Sequence, residues 1–364
     1  MTQRKQPLLL SAVAIASFCI GGLLVKYYPQ IKSHLAALIQ RRDDLTTTTW
    51  PEAFSVVHMR SSADSSLQPA YFFAAPREVA KPLVVSLHAW NGNYAQNDPL
   101  AAMAMHEGWN YIHPDFRGPN HTKEACLSQK GLADIDDAIQ YAIDNGAVDG
   151  DNIFVVGVSG GGHATLGAYL KSRHRIKAFL AWAPISDLIS WFHQTKSRNT
   201  EYAAHILQCT SDGMHLDENE ARLRSPIFWA MPTTPKGRLE IYAGINDGYT
   251  GSVPISHSVL FFNRLVEHYG YAESRVEASD MVKLLTRGME MERGEERKEI
   301  GERVVLFSKK TPLVSLTIFD GGHEMLHAYC FKRLKEIAEQ GAAQEGKSAT
   351  RHPRQRALTF GPSQ

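Results

Sequence analysis

The chain has 364 residues, 43% apolar and 21% charged, with a formal net charge of +1. This is globular composition, enough for one large domain or two small ones. A balance so near neutrality carries no footprint for nucleic acid, and no such partner is expected.

The N-terminus stands apart. After "MTQRKQP" comes "LLLSAVAIASFCIGGLLV", an uncharged run over residues 8–25 that ends at Lys26. As a helix it would extend about 27 Å, enough to cross a hydrocarbon core. Residues 1–28 are therefore read as a membrane anchor, with a cleaved signal segment as the alternative. The rest of the chain is then expected on the periplasmic or extracellular side, or secreted. Residues 29–50 form a linker ending in "TTTT", and residues 51–340 a single catalytic domain.

From there strand-like runs fall at 54–59, 70–74, 83–87, 109–113, 153–156, 178–182, 239–243 and 313–318. Helical spacing lies between several of them. Leu132, Ile135, Ile139 and Ala142 share a face, as do Leu260, Arg264, Val266 and Tyr269, and Leu326, Tyr329, Arg333 and Ile337. Two close strands followed by strand–helix alternation predict an α/β fold, a mostly parallel sheet covered on both faces. The segment 186–230 breaks the alternation and reads as a small cap insertion. Residues 273–303 are strongly charged and read as solvated helix or mobile insertion, and 341–364 as a disordered tail.

Chemistry concentrates in "FVVGVSGGGHATLGAYL", residues 154–170. A nucleophilic serine on a strand-to-helix turn needs tiny neighbours, and the G-x-S-x-G run supplies them around Ser159. The Gly160 N–H then faces the site from the positive end of the new helix, ready for an oxyanion. A serine needs a base, and the base an acid. In this topology they follow in that order, each after a later strand. Asp247 follows the 239–243 strand and His323 the 313–318 strand. Asp320 is the rival acid, assigned instead to bracing the turn. His163 is the rival base, assigned instead a supporting role behind the site or a structural one. The loop "LHAWNGN" supplies the Trp90 N–H as second oxyanion donor, although Ala89 stands where glycine is more usual. Cys330 is expected as a buried thiol. Cys126 and Cys209, in loop-like context, would pair if the domain is exported. "Asn-His-Thr" at 120–122 is a glycosylation triplet by pattern.

The motifs "LHAWNGN", "PDFRGPN", "DIDDAIQYA", "VVGVSGGGHATL", "WAPISDL", "RSPIFWA", "AGINDGYTGSVPISHS" and "FDGGHE" stand in the order seen in catalytic domains of the prolyl oligopeptidase family, which the chain resembles over roughly residues 80–340. The resemblance implies an α/β-hydrolase fold with Ser159 as nucleophile, Asp247 as acid and His323 as base. It departs in the "GYTGS" of the acid loop, in the lengthened gap from Asp247 to His323, and in the short spacer standing where those peptidases carry a β-propeller.

The expected function is thus a serine hydrolase cleaving small esters, with Trp191, Phe192 and Tyr202 roofing the acyl group. A peptidase acting on short peptides is one alternative, and a non-catalytic binding module at a membrane another. No cofactor or metal is expected, on the reading that the histidines lack H-x-x-x-H or cysteine-pair spacing.

Overall fold

The computed structural model describes residues 50–289 and 298–349, with side chains through residue 340. The N-terminal apolar run and residues 350–364 lie outside the described residues. Among the described residues no helix is long and apolar enough to cross a membrane.

Ten strands form one sheet: β1 (Ser55–Arg60), β2 (Leu67–Phe73), β3 (Lys81–Leu87), β4 (Asn110–Pro114), β5 (Val148–Val158), β6 (Ala178–Trp182), β7 (Arg238–Gly244), β8 (Glu299–Ile300), β9 (Arg303–Lys310) and β10 (Val314–Phe319). Their order is β1-β2-β4-β3-β5-β6-β7-β10-β9-β8. The six strands from β4 to β10 run parallel, while β1, β2, β9 and β8 attach antiparallel at the two flanks. Apolar runs such as "LVVSL", "IFVV" and "AFLAW" are buried on both faces, as a covered parallel sheet requires. This is the predicted mixed α/β architecture.

Helices cover the sheet. They are α1 (Pro99–Glu107), α2 (Gln129–Asn145), α3 (Gly160–Lys171), α4 (Leu188–Ser197), α5 (Tyr202–Thr210), α6 (Glu218–Leu223), α7 (Ser256–His268), α8 (Ala278–Leu285) and α9 (His327–Ala349). Local chemistry sets their starts. Asp98 caps α1 by accepting from the Leu100 N–H at 2.9 Å, with Pro99 in the first turn. Ser128 caps α2 through the Gly131 N–H at 3.1 Å. The buried face of α2 carries Ile135, Ile139 and Ala142 as predicted.

Four differences from the sequence reading have simple causes. Leu260 is 45% exposed, because the buried face of α7 is carried by Val259, Phe261, Phe262, Leu265 and Val266. The charged stretch contains α8, whose Leu284 is buried, and leads through β8 into β9. Both strands escaped notice because they lie at the sheet's edge, half-exposed, with weak alternation. The helix α9 continues past residue 341 to Ala349. Trp50, assigned to the linker, stacks on Tyr71 with ring centroids 4.2 Å apart and so belongs to the folded domain.

Cys126 and Cys209 are joined in a disulfide, with Cα atoms 6.4 Å apart. It ties the loop after β4 to α5 of the cap. Cys330 is free and buried, and burial pushes its thiol well above the usual range.

Candidate active site

The turn at Ser159 comes first in the site's construction. Ser159 links β5 to α3 with φ 59° and ψ −117°, a region that side-chain-bearing residues rarely occupy. Its N–H donates to the Trp182 carbonyl at 2.9 Å, and its carbonyl accepts from the His163 N–H at 2.9 Å. Glycine at 157 and 161 is obligatory. A Cβ on Gly157 would strike the Gly161 backbone, and one on Gly161 the Leu87 carbonyl. The strand-to-helix turn predicted from the glycine pattern is thus present.

Strand pairing delivers the other two groups. β7 and β10 are parallel neighbours, with Gly244 opposite Phe319. The register continues past their ends, where Ile245 N–H donates to the Phe319 carbonyl (2.9 Å) and Asn246 N–H to the Gly321 carbonyl (3.0 Å). The two loops therefore leave the sheet together, and His323 Nδ1 meets Asp247 Oδ2 at 2.7 Å. Asp247 is 1% exposed, and its Oδ1 accepts from the Gly248 N–H (2.9 Å) and the Val253 N–H (3.0 Å). His323 Nε2 lies 3.3 Å from Ser252 Oγ.

The Asp320 carboxylate is exposed and has no partner among the described residues, while its backbone N–H donates to the Val304 carbonyl. Glu324 braces the turn, accepting from the Gly322 N–H at 3.1 Å and pairing with Arg303 at 3.0 Å. One reading of the histidines also needs correction. His323-Glu324-Met325-Leu326-His327 does have H-E-x-x-H spacing. Zinc binding through it needs both imidazoles on one helical face, but α9 begins only at His327 and His323 lies in the preceding turn, bonded to Asp247. No group of three or more candidate metal ligands occurs among the described residues.

Trp90 and Gly160 lie side by side. A Cβ on Gly160 would collide with the Trp90 backbone nitrogen, so the two peptide units are in close approach. The loop is held by groups the sequence reading passed over. Gln96 Oε1 accepts from the Ala89 N–H at 2.9 Å, and Asn120 donates to the Trp90 carbonyl through its backbone at 2.8 Å and its side chain at 3.3 Å. Asn120 is 3% exposed, with Oδ1 accepting from the Cys126 N–H, so the asparagine of the glycosylation triplet faces inward. Its role had no sequence signal beyond that misleading triplet.

The cap supplies support more than a roof. Trp191 is fully buried, packed edge-on to Trp90 at 4.7 Å, and donates from Nε1 to the Ser252 carbonyl at 2.9 Å. Phe192 is buried too, leaving only Tyr202 half-exposed.

His163 is buried, with Nδ1 2.7 Å from the Ile185 carbonyl. Burial pulls it, His113 and His257 down to about 4 from the ordinary 6.5. These three stay neutral when the chain is folded and titrate near 6.5 when it is unfolded. Their contribution to stability is complete above pH 6.5 and is lost as pH falls toward 4. The upper limit of the slope is about 1.4 kcal/mol per pH unit for each histidine. Urea midpoints should therefore be flat from pH 7 to 8 and drop steeply between 6.5 and 4. A flat profile through the acid range would contradict the burial of these rings.

Comparison with known proteins follows the same lines. The model of the prolyl oligopeptidase family matches residues 98–281. Among solved structures, the acylaminoacyl peptidase of Pyrococcus horikoshii is similar at 16% identity, with a TM-score of 0.54, over 79% of this chain and 41% of its own. A puromycin-hydrolyzing peptidase of Mycobacterium tuberculosis is similar at 16% identity, with a TM-score of 0.52, over 81% of this chain and 40% of its own. The chain thus spans about two-fifths of the length of these structures, and at such identity the likeness is one of fold. No curated protein matches the chain.

Proposed function

The chain belongs to the prolyl oligopeptidase family of serine hydrolases, and from that premise we propose that it cleaves short peptides through an acyl-enzyme at Ser159. The observation that carries the reading is the Asp247–His323 hydrogen bond of 2.7 Å, set by two adjacent parallel strands at the same C-terminal end of the sheet as the strained Ser159 turn. In the proposed cycle Ser159 Oγ attacks the substrate carbonyl and its proton passes to His323 Nε2. Asp247 holds the Nδ1–H and stabilises the imidazolium. The Trp90 and Gly160 N–H groups take the oxyanion. The imidazolium then protonates the leaving nitrogen, and water repeats the sequence to free the acid and restore Ser159.

The expected preference for small esters rested in part on an aromatic roof of Trp191, Phe192 and Tyr202, beside the missing amine anchor and the easier departure of an alkoxide or phenolate. With Trp191 and Phe192 buried inside the cap, the roof is reduced to Tyr202. Aminoacyl or prolyl anilides and aryl esters with the same acyl group separate the two readings. An amide needs its leaving nitrogen protonated by a well-placed imidazolium, whereas a phenolate leaves unaided. A peptidase should process the best anilide with kcat/KM within about tenfold of the matching ester. An ester advantage above about 100-fold across the panel, roughly 2.7 kcal/mol, would return the reading to an esterase.

The same proposal places the domain outside the cytoplasm, attached to a membrane through residues 8–25 or secreted after their removal. The Cys126–Cys209 disulfide supports it, since such bonds persist in oxidising compartments.

A further inference from the structure

The loop that carries Asp247 is held from the cap by Arg198, which bonds three of its carbonyls, and by Trp191, which bonds one of them. Arg198 stands at the C-terminal end of α4 in the cap. Its Nη1 donates to the Gly248 carbonyl (2.9 Å) and the Gly251 carbonyl (3.0 Å), and its Nη2 donates to the Ser252 carbonyl (2.7 Å). Nε closes the set on the Gln194 carbonyl of its own helix at 3.0 Å. No carboxylate pairs with Arg198 among the described residues, although burial opposes its charge and Asp247 is the anion that favours it. A half-buried guanidinium spent wholly on carbonyls needs a reason, because taking part of its charge out of water opposes folding.

The contacts of the loop supply one. The amides of Gly248 and Val253 grip Asp247 Oδ1, while the carbonyls of Gly248, Gly251 and Ser252 are gripped by Arg198. A Cβ on Gly251 would strike both Asp247 and His323, so the loop folds tightly over the pair. Ser252, held by Arg198 and Trp191 through its carbonyl, places its hydroxyl 3.3 Å from His323 Nε2. A shift of this loop therefore moves the acid, the imidazole and the hydroxyl together.

We propose that Arg198 is a positioning residue, through which the cap keeps the Asp247–His323 pair aligned for proton transfer. The proposal rests on the reading of Ser159, Asp247 and His323 as the catalytic triad. Lysine keeps the charge of arginine but not the planar fork that spans several carbonyls.

The test uses the full chain, with p-nitrophenyl butyrate and a fluorophosphonate probe as substrates. Misplacement on the ångström scale lowers turnover by up to about 100-fold. Arg198→Ala should lower kcat by that order with KM within about threefold, and slow probe labelling in proportion. Arg198→Lys should recover part of the loss. A wild-type kcat in a thermally destabilised Ala variant would make Arg198 a structural tie only. A raised KM with intact kcat would make it a substrate contact. Either outcome overturns the proposal. Should the Ala variant not fold, the Lys variant decides: a loss of kcat at unchanged KM supports positioning, and wild-type kcat refutes it. Ser159→Ala runs alongside. If that variant keeps its turnover, the triad reading itself has failed, whatever Arg198 does.

Discussion

Replacing Ser159 with alanine should abolish labelling by a fluorophosphonate and lower turnover by roughly four to six orders of magnitude. The hydroxyl is the only atom removed, and the turn tolerates the change as well as it tolerates serine. Both residues carry a Cβ at φ 59°, so the backbone cost is the same in each. The melting temperature should therefore stay near that of the wild type. No neighbour can stand in as an alternative pair. His163, one helical turn along, is buried and bonded to the Ile185 carbonyl, with burial holding it neutral. Ser252 Oγ lies 3.3 Å from His323 Nε2, but the Ser252 carbonyl is tied to Trp191 and Arg198. Labelling that survives in the Ala variant, mapped to Ser252, would move the nucleophile there.

Asp247→Asn should leave the fold intact and lower turnover by about 10⁴. The hydrogen bonds determine how the new amide must sit. Oδ1 of Asp247 accepts from two backbone N–H groups, of Gly248 and Val253. Asparagine must keep its oxygen there, which turns its NH₂ toward His323 Nδ1. The imidazole then has to accept at Nδ1 and carry its proton on Nε2, the tautomer that cannot take a proton from Ser159. The loss of the negative charge removes support for the imidazolium as well. Asp320→Asn is the matched control, since that carboxylate is exposed and no described contact uses it. Its turnover should stay within about threefold of the wild type, as for most surface substitutions. If the two variants exchange these results, the acid has been misassigned.

Features whose cause lies within a few consecutive residues were legible in advance. The turn at Ser159 was one, because the steric demand for glycine at 157 and 161 acts over a single turn of chain. The central strands were others, since a strand buried on both faces must be apolar throughout. The charged segment before β10 was harder to read. A strand near the edge such as β9, half-exposed along its length, leaves only weak alternation, and the charge density of residues 273–303 before it suggested solvated helix or mobile insertion. H-E-x-x-H at residues 323–327 shows the converse limit: its spacing has metal-binding meaning only on a helix, and the helix starts at the last of the five residues.

By itself, then, the sequence determined an α/β chain with a serine on a strained strand-to-helix turn, and an aspartate and a histidine after later strands in the expected order. Only the tertiary structure decided that Asp247 rather than Asp320 meets His323, that the Trp90 and Gly160 peptides approach each other, and that Trp191 is cap interior and not substrate roof. It alone revealed the hold of Arg198 on the acid loop. The reason is one of range. Backbone sterics and burial patterns act between neighbours in the chain, whereas Asp247 and His323 are 76 positions apart and meet only through the register of β7 against β10.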